Sequence, residues 1–266
     1  MIRWCTLLLL LTACATPAPP VATAPVVRTG ADIVLPLDRY LHTAEHRALL
    51  DRAADVVGDR CMRRFGLRWE GDPTPEPVSN ARRYTSLDAA EAYHPATPPV
   101  PRRPPLPAEV KAVWLGEVAF HGGPVPQGGC VGEAMRILKP GIERIQAGLP
   151  QRLQWESYGR TRSDERVHRV FAAWSSCMAD RGFHYPDPSA AANDPRWRTP
   201  SITPQETVVA RADVECKLRT NVAGVMLAVE TGYQRELIKQ NEAALADVMA
   251  YADREVRIAV ETLGNS

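Results

Sequence analysis

The sequence predicts an all-α protein whose helices are pinned by two disulfides and joined by long proline-rich loops. Apolar residues recur at helical spacing over several long segments, and no segment alternates convincingly between polar and apolar residues as a strand does. Prolines cluster between those segments, where they exclude regular helix. The pattern Cys-Met-x-x-x-Gly occurs at Cys61 and again at Cys177, and each copy is followed by one further cysteine. We therefore expect two related helix–cysteine–loop–cysteine–helix units, at about 38–140 and 150–266.

The N-terminus has the pattern of an export signal. Arg3 precedes an apolar run at Leu7–Leu11, which is far shorter than the about 20 residues of a membrane-spanning helix. The stretch Leu11-Thr12-Ala13-Cys14 resembles the lipobox of bacterial lipoproteins. The resemblance implies removal of a signal peptide at 1–13, a diacylglyceryl group on the Cys14 thiol and often an acyl chain on its amine. Ordinary secretion, with cleavage near Ala22–Ala24, is the alternative.

Residues 14–37 predict a tether between the lipidated cysteine and the helical domain at 38–266. The segment is rich in Pro, Ala, Thr and Val, which favours an extended chain. In polyproline-like geometry it would reach up to roughly 65 Å. Such a tether would lift the domain off the bilayer.

The first unit is predicted to contain helices at about 38–65, 108–117 and 130–138, each with an apolar face. A proline-rich insertion at 71–107 separates the first two and could hold a short helix at 81–93. Loops of this length are either functional or disordered. The insertion is therefore interpreted as a polyproline docking segment or as a variable surface loop.

The second unit is predicted to contain three helical stretches. Thr203 is a suitable N-cap for the middle one, because Pro204 follows it and Glu206 is positioned to close a capping box. The predicted elements are helix at 150–182 with a break near 159–163, loop at 185–204, helix from 204 to about 220, and a final helix at about 224–263.

Four cysteines remain after Cys14, and an even number in an exported chain predicts two disulfides with three possible connectivities. A zinc site would need closer pairs such as Cys-x-x-Cys, which the sequence lacks. Both Cys-Met-x-x-x-Gly copies end a helix, with the glycine placed for a left-handed cap, and lead through a loop to the next cysteine. The repeat therefore favours the pairs Cys61–Cys130 and Cys177–Cys216.

The paired Cys-Met-x-x-x-Gly pattern, the lipobox and the segment from Asp213 to Leu237 are together similar to a group of uncharacterised actinobacterial exported lipoproteins. Arginine heavily outnumbers lysine, and Ala, Gly and Pro are abundant, as in proteins from GC-rich genomes. The resemblance spans most of the mature chain. It implies an exported location and a disulfide framework, and it transfers no catalytic residue.

Composition limits the classes of partner. The formal net charge is +1, and no basic stripe or acidic tail stands out, so nucleic acid is not expected as a partner. The expected partners are the membrane, through lipid on Cys14, and an unknown envelope component or protein. Self-association through the C-terminal helix is a weaker hypothesis. No cofactor is expected.

The segment His42-Thr43-Ala44-Glu45-His46 matches His-x-x-Glu-His, a pattern of zinc hydrolases. On a helix, His42 and His46 fall four residues apart and could share a zinc ion, while Glu45 could act as a general base. The pattern also needs a third, acidic ligand from a second helix, which the sequence does not identify. Two surface histidines on an amphipathic helix are the simpler interpretation.

Other candidate groups are more weakly supported. A glycine-rich stretch before Cys130 lacks the Gly-Lys-Ser/Thr of a phosphate loop and is interpreted as backbone bending around the disulfide. Five tryptophans could form a glycan platform, although core or loop anchors are the simpler interpretation. The remaining candidates are a Glu117–His121 acid–base pair, Ser175 and Ser176, and the isolated His168 and His184.

The sequence thus predicts a lipid-anchored extracytoplasmic protein, held at the outer face of the cell membrane, that serves as a non-catalytic binding or envelope-interaction module of unknown ligand. A zinc-dependent hydrolase using His42, Glu45 and His46 is the alternative.

Overall fold

The computed structural model describes residues 23–71, 87, 93, 106–116 and 124–264, and within this part of the chain it is helical throughout, without a β-strand. The all-α prediction is confirmed. The predicted signal peptide and lipobox lie outside the described residues, as does most of the predicted helix at 81–93. The helices are α1 (Ala44–Arg63), α2 (Ala108–Leu115), α3 (Gly129–Leu138), α4 (Leu149–Arg162), α5 (Glu165–Ala179), α6 (Pro188–Ala192), α7 (Pro204–Thr220), α8 (Val222–Gln240) and α9 (Glu242–Gly264).

Both predicted disulfides are confirmed. Cys61 at the end of α1 is bonded to Cys130 at the start of α3, with the two Cα atoms 5.6 Å apart. Cys177 near the end of α5 is bonded to Cys216 in α7, with a Cα–Cα distance of 5.7 Å. All four cysteines are buried. Each bridge therefore ties the end of one helix to a later helix across a long connection.

The two Cys-Met-x-x-x-Gly segments end their helices in the same way. Gly66 and Gly182 have φ values of +72° and +82°, the left-handed conformation that favours glycine. In each copy the residue after the glycine donates its backbone N–H to the carbonyl of the methionine, at 3.1 and 3.0 Å. These bonds define a Schellman cap, and the predicted role of both glycines is confirmed.

Three predicted boundaries are wrong. The first helix begins at Ala44, because Thr43 is its N-cap and a separate 3-10 turn occupies Pro36–Tyr40. The predicted loop at 185–204 contains α6 and a further 3-10 turn. The predicted final helix is divided at Asn241, whose side-chain amide donates to the carbonyl of Leu237 at 2.8 Å. An asparagine that bonds local backbone in this way competes with helix continuation.

The two units share cores. The apolar residues of α9 that suggested self-association lie largely inside this chain, where Ala259 packs with α1 and α3 around Ala53 and Leu138. Tyr93, from the proline-rich insertion, is buried in the core of the second unit, with its ring centroid 5.9 Å from that of Trp197. The C-terminal helix therefore completes the core of the first unit, and the insertion reaches the second.

Part of the predicted tether packs on the domain. Val27 and Leu35 are each 3% exposed, and Leu37 is fully buried between α4, α8 and α9. The backbone N–H of Leu37 donates to Oε1 of the buried Gln234 at 2.9 Å. The segment from Pro25 to Leu37 is thus a docked element and not a free tether.

Candidate functional site

The His-x-x-Glu-His segment does not form the predicted helical pair. His42 precedes the N-cap of α1, so the two histidines do not occupy one helix face four residues apart. Their ring centroids are 6.3 Å apart, and Glu45 and His46 are exposed. Among the described residues, no group of three His, Cys, Asp or Glu side chains is placed to hold a metal ion.

His42 instead joins the start of the domain to its end. Its Nε2 lies 3.2 Å from Oε2 of Glu255 in α9, a carboxylate with only 6% of its side chain exposed. Lys139 Nζ lies 3.8 Å from the other oxygen of Glu255, which accepts no hydrogen bond from the described residues. One turn earlier, burial raises the pKa of Tyr251 to about 12. The cluster links three segments that are distant in the sequence, which is a structural role.

The five tryptophans separate into two classes. Trp69 and Trp114 stack on each other with ring centroids 3.7 Å apart. Trp174 is fully buried and Trp197 is 6% exposed, so both belong to the core of the second unit. Trp155, on α4, is 74% exposed. Of the five, Trp155 is therefore the candidate for contact with a ligand.

A surface groove of about 480 Å³ lies where α4 ends, beside α5 and the start of α6. The Arg162 guanidinium and the Asp187 carboxylate form an ion pair on its lining, with Nη2 and Oδ2 3.4 Å apart. His168 and Ser175 line the groove from α5, two helical turns apart, and Phe171 lies between them on the same helix. The groove is lined by a guanidinium, a carboxylate, an imidazole, a hydroxyl and the ring of Phe171.

The exposed tryptophan lies on the same side of α4 as the groove. Trp155, Tyr158 and Arg162 follow one another at spacings of three and four residues, which places them along one helix face. The rings of Trp155 and Tyr158 meet edge to face, with centroids 6.5 Å apart. At 1.5 Å rise per residue, Trp155 lies about 10 Å from Arg162 along the axis. An aromatic stripe therefore leads into the groove.

A rigid cap holds the α4–α5 junction. Asp164, the N-cap of α5, accepts two hydrogen bonds from the Arg166 guanidinium, at 2.7 and 2.6 Å, and one from the Tyr233 hydroxyl at 2.9 Å. The Arg166 guanidinium is the main reason that the pKa of Asp164 falls to about 2, well below its ordinary value. The carboxylate is therefore ionised at neutral pH and fixes the start of α5.

A second aspartate cap of the same kind follows α6. Asp194 caps the 3-10 turn at Pro195–Trp197 and accepts hydrogen bonds from Arg196 and from the Tyr185 hydroxyl. The Arg196 guanidinium lowers the pKa of Asp194 to about 2, and burial raises that of Tyr185 to about 12. In both Asp-x-Arg segments, the aspartate thus caps a helix start and accepts hydrogen bonds from the arginine and from a tyrosine hydroxyl outside the segment.

A buried ion pair lies inside the second unit and was not predicted. Lys217 Nζ and Asp213 Oδ2 are 2.8 Å apart, with each side chain 1% exposed. The indole N–H of Trp174 donates to the other oxygen of Asp213 at 3.0 Å. Burial raises the pKa of Asp213, and the Lys217 ammonium opposes that rise. In the sequence, this ion pair is indicated only by the spacing of four residues between Asp213 and Lys217 within a predicted helix.

Several sequence candidates prove structural or lie outside the described residues. The Ser175 hydroxyl donates to the carbonyl of Tyr185 at 2.6 Å, so its proton is directed away from any base. Gly128 and Gly129 have positive φ beside Cys130, which confirms the backbone interpretation of that stretch. Glu117 and His121 lie outside the described residues.

The two disulfides indicate that the protein folds in an oxidising, extracytoplasmic compartment. Within the described ranges, the helices are too short or too polar to cross a membrane. The chain matches no protein-family model, no curated protein and no solved structure.

Proposed function

We propose that the protein is a lipid-anchored extracytoplasmic binding module that acts without catalysis. The disulfides support an extracytoplasmic location, and the resemblance of residues 11–14 to a lipobox supports an anchor on Cys14. An acyl anchor needs two or more chains for stable attachment, which diacylglyceryl supplies.

The observation that carries the binding role is the stripe from Trp155 into the groove at Arg162. The Trp155 indole is 74% exposed, and among the described residues its ring contact is edge to face with Tyr158. The groove, about 10 Å farther along α4, supplies the paired Arg162 and Asp187 and the exposed imidazole of His168. A flat apolar ring beside convergent polar groups suits an oligosaccharide, whose rings have apolar C–H faces and whose edges carry hydroxyls.

The side chains around the groove favour binding over catalysis. The hydroxyl of Ser175 is committed to a backbone carbonyl. The carboxylates of Asp164 and Asp194, whose pKa values fall to about 2, fix the starts of α5 and of the 3-10 turn at Pro195–Trp197.

Titration calorimetry with three soluble probes tests the binding role: a neutral oligosaccharide, a phosphorylated oligosaccharide and a muropeptide. We expect at least one probe to bind, and its binding to be lost in Trp155→Ala and weakened in Arg162→Gln. Val208→Ser, at an apolar position on α7 that is 53% exposed, is the matched control and should bind as the native chain does. No binding by any probe, or equal binding by Trp155→Ala, would refute the proposal.

The anchor is tested separately by intact mass spectrometry of the membrane fraction. We expect a chain that begins at Cys14 and carries a diacylglyceryl mass, and a Cys14→Ser variant that is released from the membrane. An unmodified chain that begins near residue 24 would establish ordinary secretion instead.

A further inference from the structure

The N-terminal segment is seated at the corner where α7 ends and α8 begins. The side-chain amide of Asn221, the residue between the two helices, donates to the carbonyl of Pro25 at 3.0 Å. Asn221 has a φ of +55°, a left-handed conformation that asparagine tolerates. Gly224 gives the segment room, because a Cβ at this position would lie 1.8 Å from the Pro25 carbonyl oxygen. The chain therefore joins the domain at a defined point.

Burial on the C-terminal side of Pro25 keeps that point fixed. Val27 is 3% exposed and packs with Ala223 of α8, which is 2% exposed. Ile33 and Leu227 pack partly buried against the same cluster. A segment held by a hydrogen bond and by apolar contacts on α8 does not move freely around the domain, so the direction in which the chain leaves is set by the fold.

The distance from this corner to the proposed lipid is short. Cys14 and Pro25 are separated by 25 − 14 = 11 residues. Even fully extended, that length of chain spans at most about 40 Å. If Cys14 is inserted in the bilayer, the chain holds the α7–α8 corner within about 40 Å of it.

The corner has the side chains of a surface that meets lipid headgroups. Val26 is 69% exposed and Leu218, in the last turn of α7, is 45% exposed. Val26 directly follows Pro25, and Leu218 precedes Asn221 by three residues. Arg28 and Arg219 are also exposed, and the Arg219 guanidinium donates to Sγ of Cys177 at 2.9 Å. Apolar side chains flanked by arginine suit the boundary between anionic headgroups and acyl chains.

We propose that the α7–α8 corner, formed by Val26, Arg28, Leu218 and Arg219, rests on an anionic lipid surface and orients the anchored domain. This inference depends on the proposed lipid anchor. The contact is too small to hold the protein by itself, because two arginines are only weakly attracted to a charged surface. The anchor supplies attachment, and the corner supplies orientation.

The experiment attaches the lipid chemically, so that its result does not depend on lipidation in the cell. In a chain that begins at residue 14, Cys14 carries the single free thiol, because the other four cysteines are in disulfides. Cys14 is coupled to a maleimide-bearing lipid in vesicles of phosphatidylcholine and phosphatidylglycerol. Hydrogen exchange is then compared between the anchored and the uncoupled protein.

We expect anchoring to slow exchange in peptides that cover 23–29 and 217–222, and to leave α4 unchanged. The double variant Val26→Ser, Leu218→Ser should lose this protection, whereas the matched control Val208→Ser should retain it. Unchanged exchange at the corner, equal protection in the double variant, or protection that appears at α4 instead would overturn the inference. Failure of lipidation in cells, with protection in this experiment, would overturn the proposed anchor alone.

Discussion

Replacing Gly224 with alanine isolates the contact that seats the N-terminal segment. Gly224 lies in the first turn of α8, where alanine favours the helix by about 1 kcal/mol. The added Cβ would lie 1.8 Å from the Pro25 carbonyl oxygen and 2.4 Å from Oδ1 of Asn221. The Pro25 carbonyl belongs to the backbone and has to move away. Gly159→Ala in α4 is the matched control, because a Cβ there lies within 4 Å of no atom of the described residues.

The structure gives the size of the effect. Displacing Pro25 removes its hydrogen bond to Asn221, about 1 kcal/mol. It also exposes Val27, now 3% exposed, at a cost of about 2 kcal/mol. Set against the helix gain, these losses lower the free energy of unfolding of Gly224→Ala by about 2 kcal/mol, whereas Gly159→Ala should gain about 1 kcal/mol.

Urea denaturation followed by far-UV circular dichroism measures both variants. Tryptic cleavage after Arg28 reports detachment of the segment, and it should accelerate in Gly224→Ala and stay at the native rate in Gly159→Ala. If the two variants are equally stable and are cleaved equally slowly, the segment is not seated on α8. The proposed orientation of the anchored domain would then also be wrong.

Three further substitutions test other contacts. Gly58→Ala would place a Cβ 2.7 Å from the ring of Trp114, so we expect overpacking to lower the free energy of unfolding by about 1–3 kcal/mol in urea; native stability would contradict the contact. The Arg166 guanidinium lowers the pKa of Asp164 from 3.8 to about 2, so this carboxylate stabilises the fold above about pH 4 and ceases to do so as the pH falls toward 2. Asp164→Asn keeps a capping acceptor, and we expect it to lose about 2 kcal/mol at pH 7 and to unfold with a weaker dependence on pH between 4 and 2; acid titrations that superimpose on the native ones would refute this. Trp155→Ala should change the free energy of unfolding by less than about 0.5 kcal/mol in the same assay, and a larger loss would show that the indole packs in the fold.

Local signals with a single physical meaning allowed the disulfide framework to be predicted. Gly66 and Gly182 occupy a position that only a residue tolerant of positive φ fills well, so both helix ends were visible in the sequence. Thr203 before Pro204 likewise marks a helix start, and its hydroxyl accepts the backbone N–H of Glu206 at 3.1 Å. The Glu206 carboxylate, expected to close a capping box, instead accepts the backbone N–H of Tyr93 at 2.8 Å. That partner lies 113 residues away, beyond any local pattern.

The candidate site depended on tertiary contacts and was not predictable in the same way. Trp155 and Trp174 both sit on helices with apolar neighbours, and only the packing of α5 on α7 and α8 decides which indole is buried. The boundary at Thr43 was readable, since it is a capping residue immediately after the histidine, but the zinc pattern requires His42 to be inside the helix. The docking of Pro25–Leu37 was not predicted, because the composition of this segment is typical of linkers.

The position three residues before each repeated cysteine shows how the two units differ. It is Gly58 in the first unit, where the ring of Trp114 fills the space, and Trp174 in the second, where the helix supplies its own indole. The first indole comes from beyond the insertion, and its disulfide spans 69 residues against 39 in the second. Closing a longer loop costs more chain entropy, and non-local contacts form more slowly. We therefore expect the second unit to nucleate folding from local contacts. The core of the first unit is complete only when α2 and the C-terminal helix α9 have packed against α1 and α3.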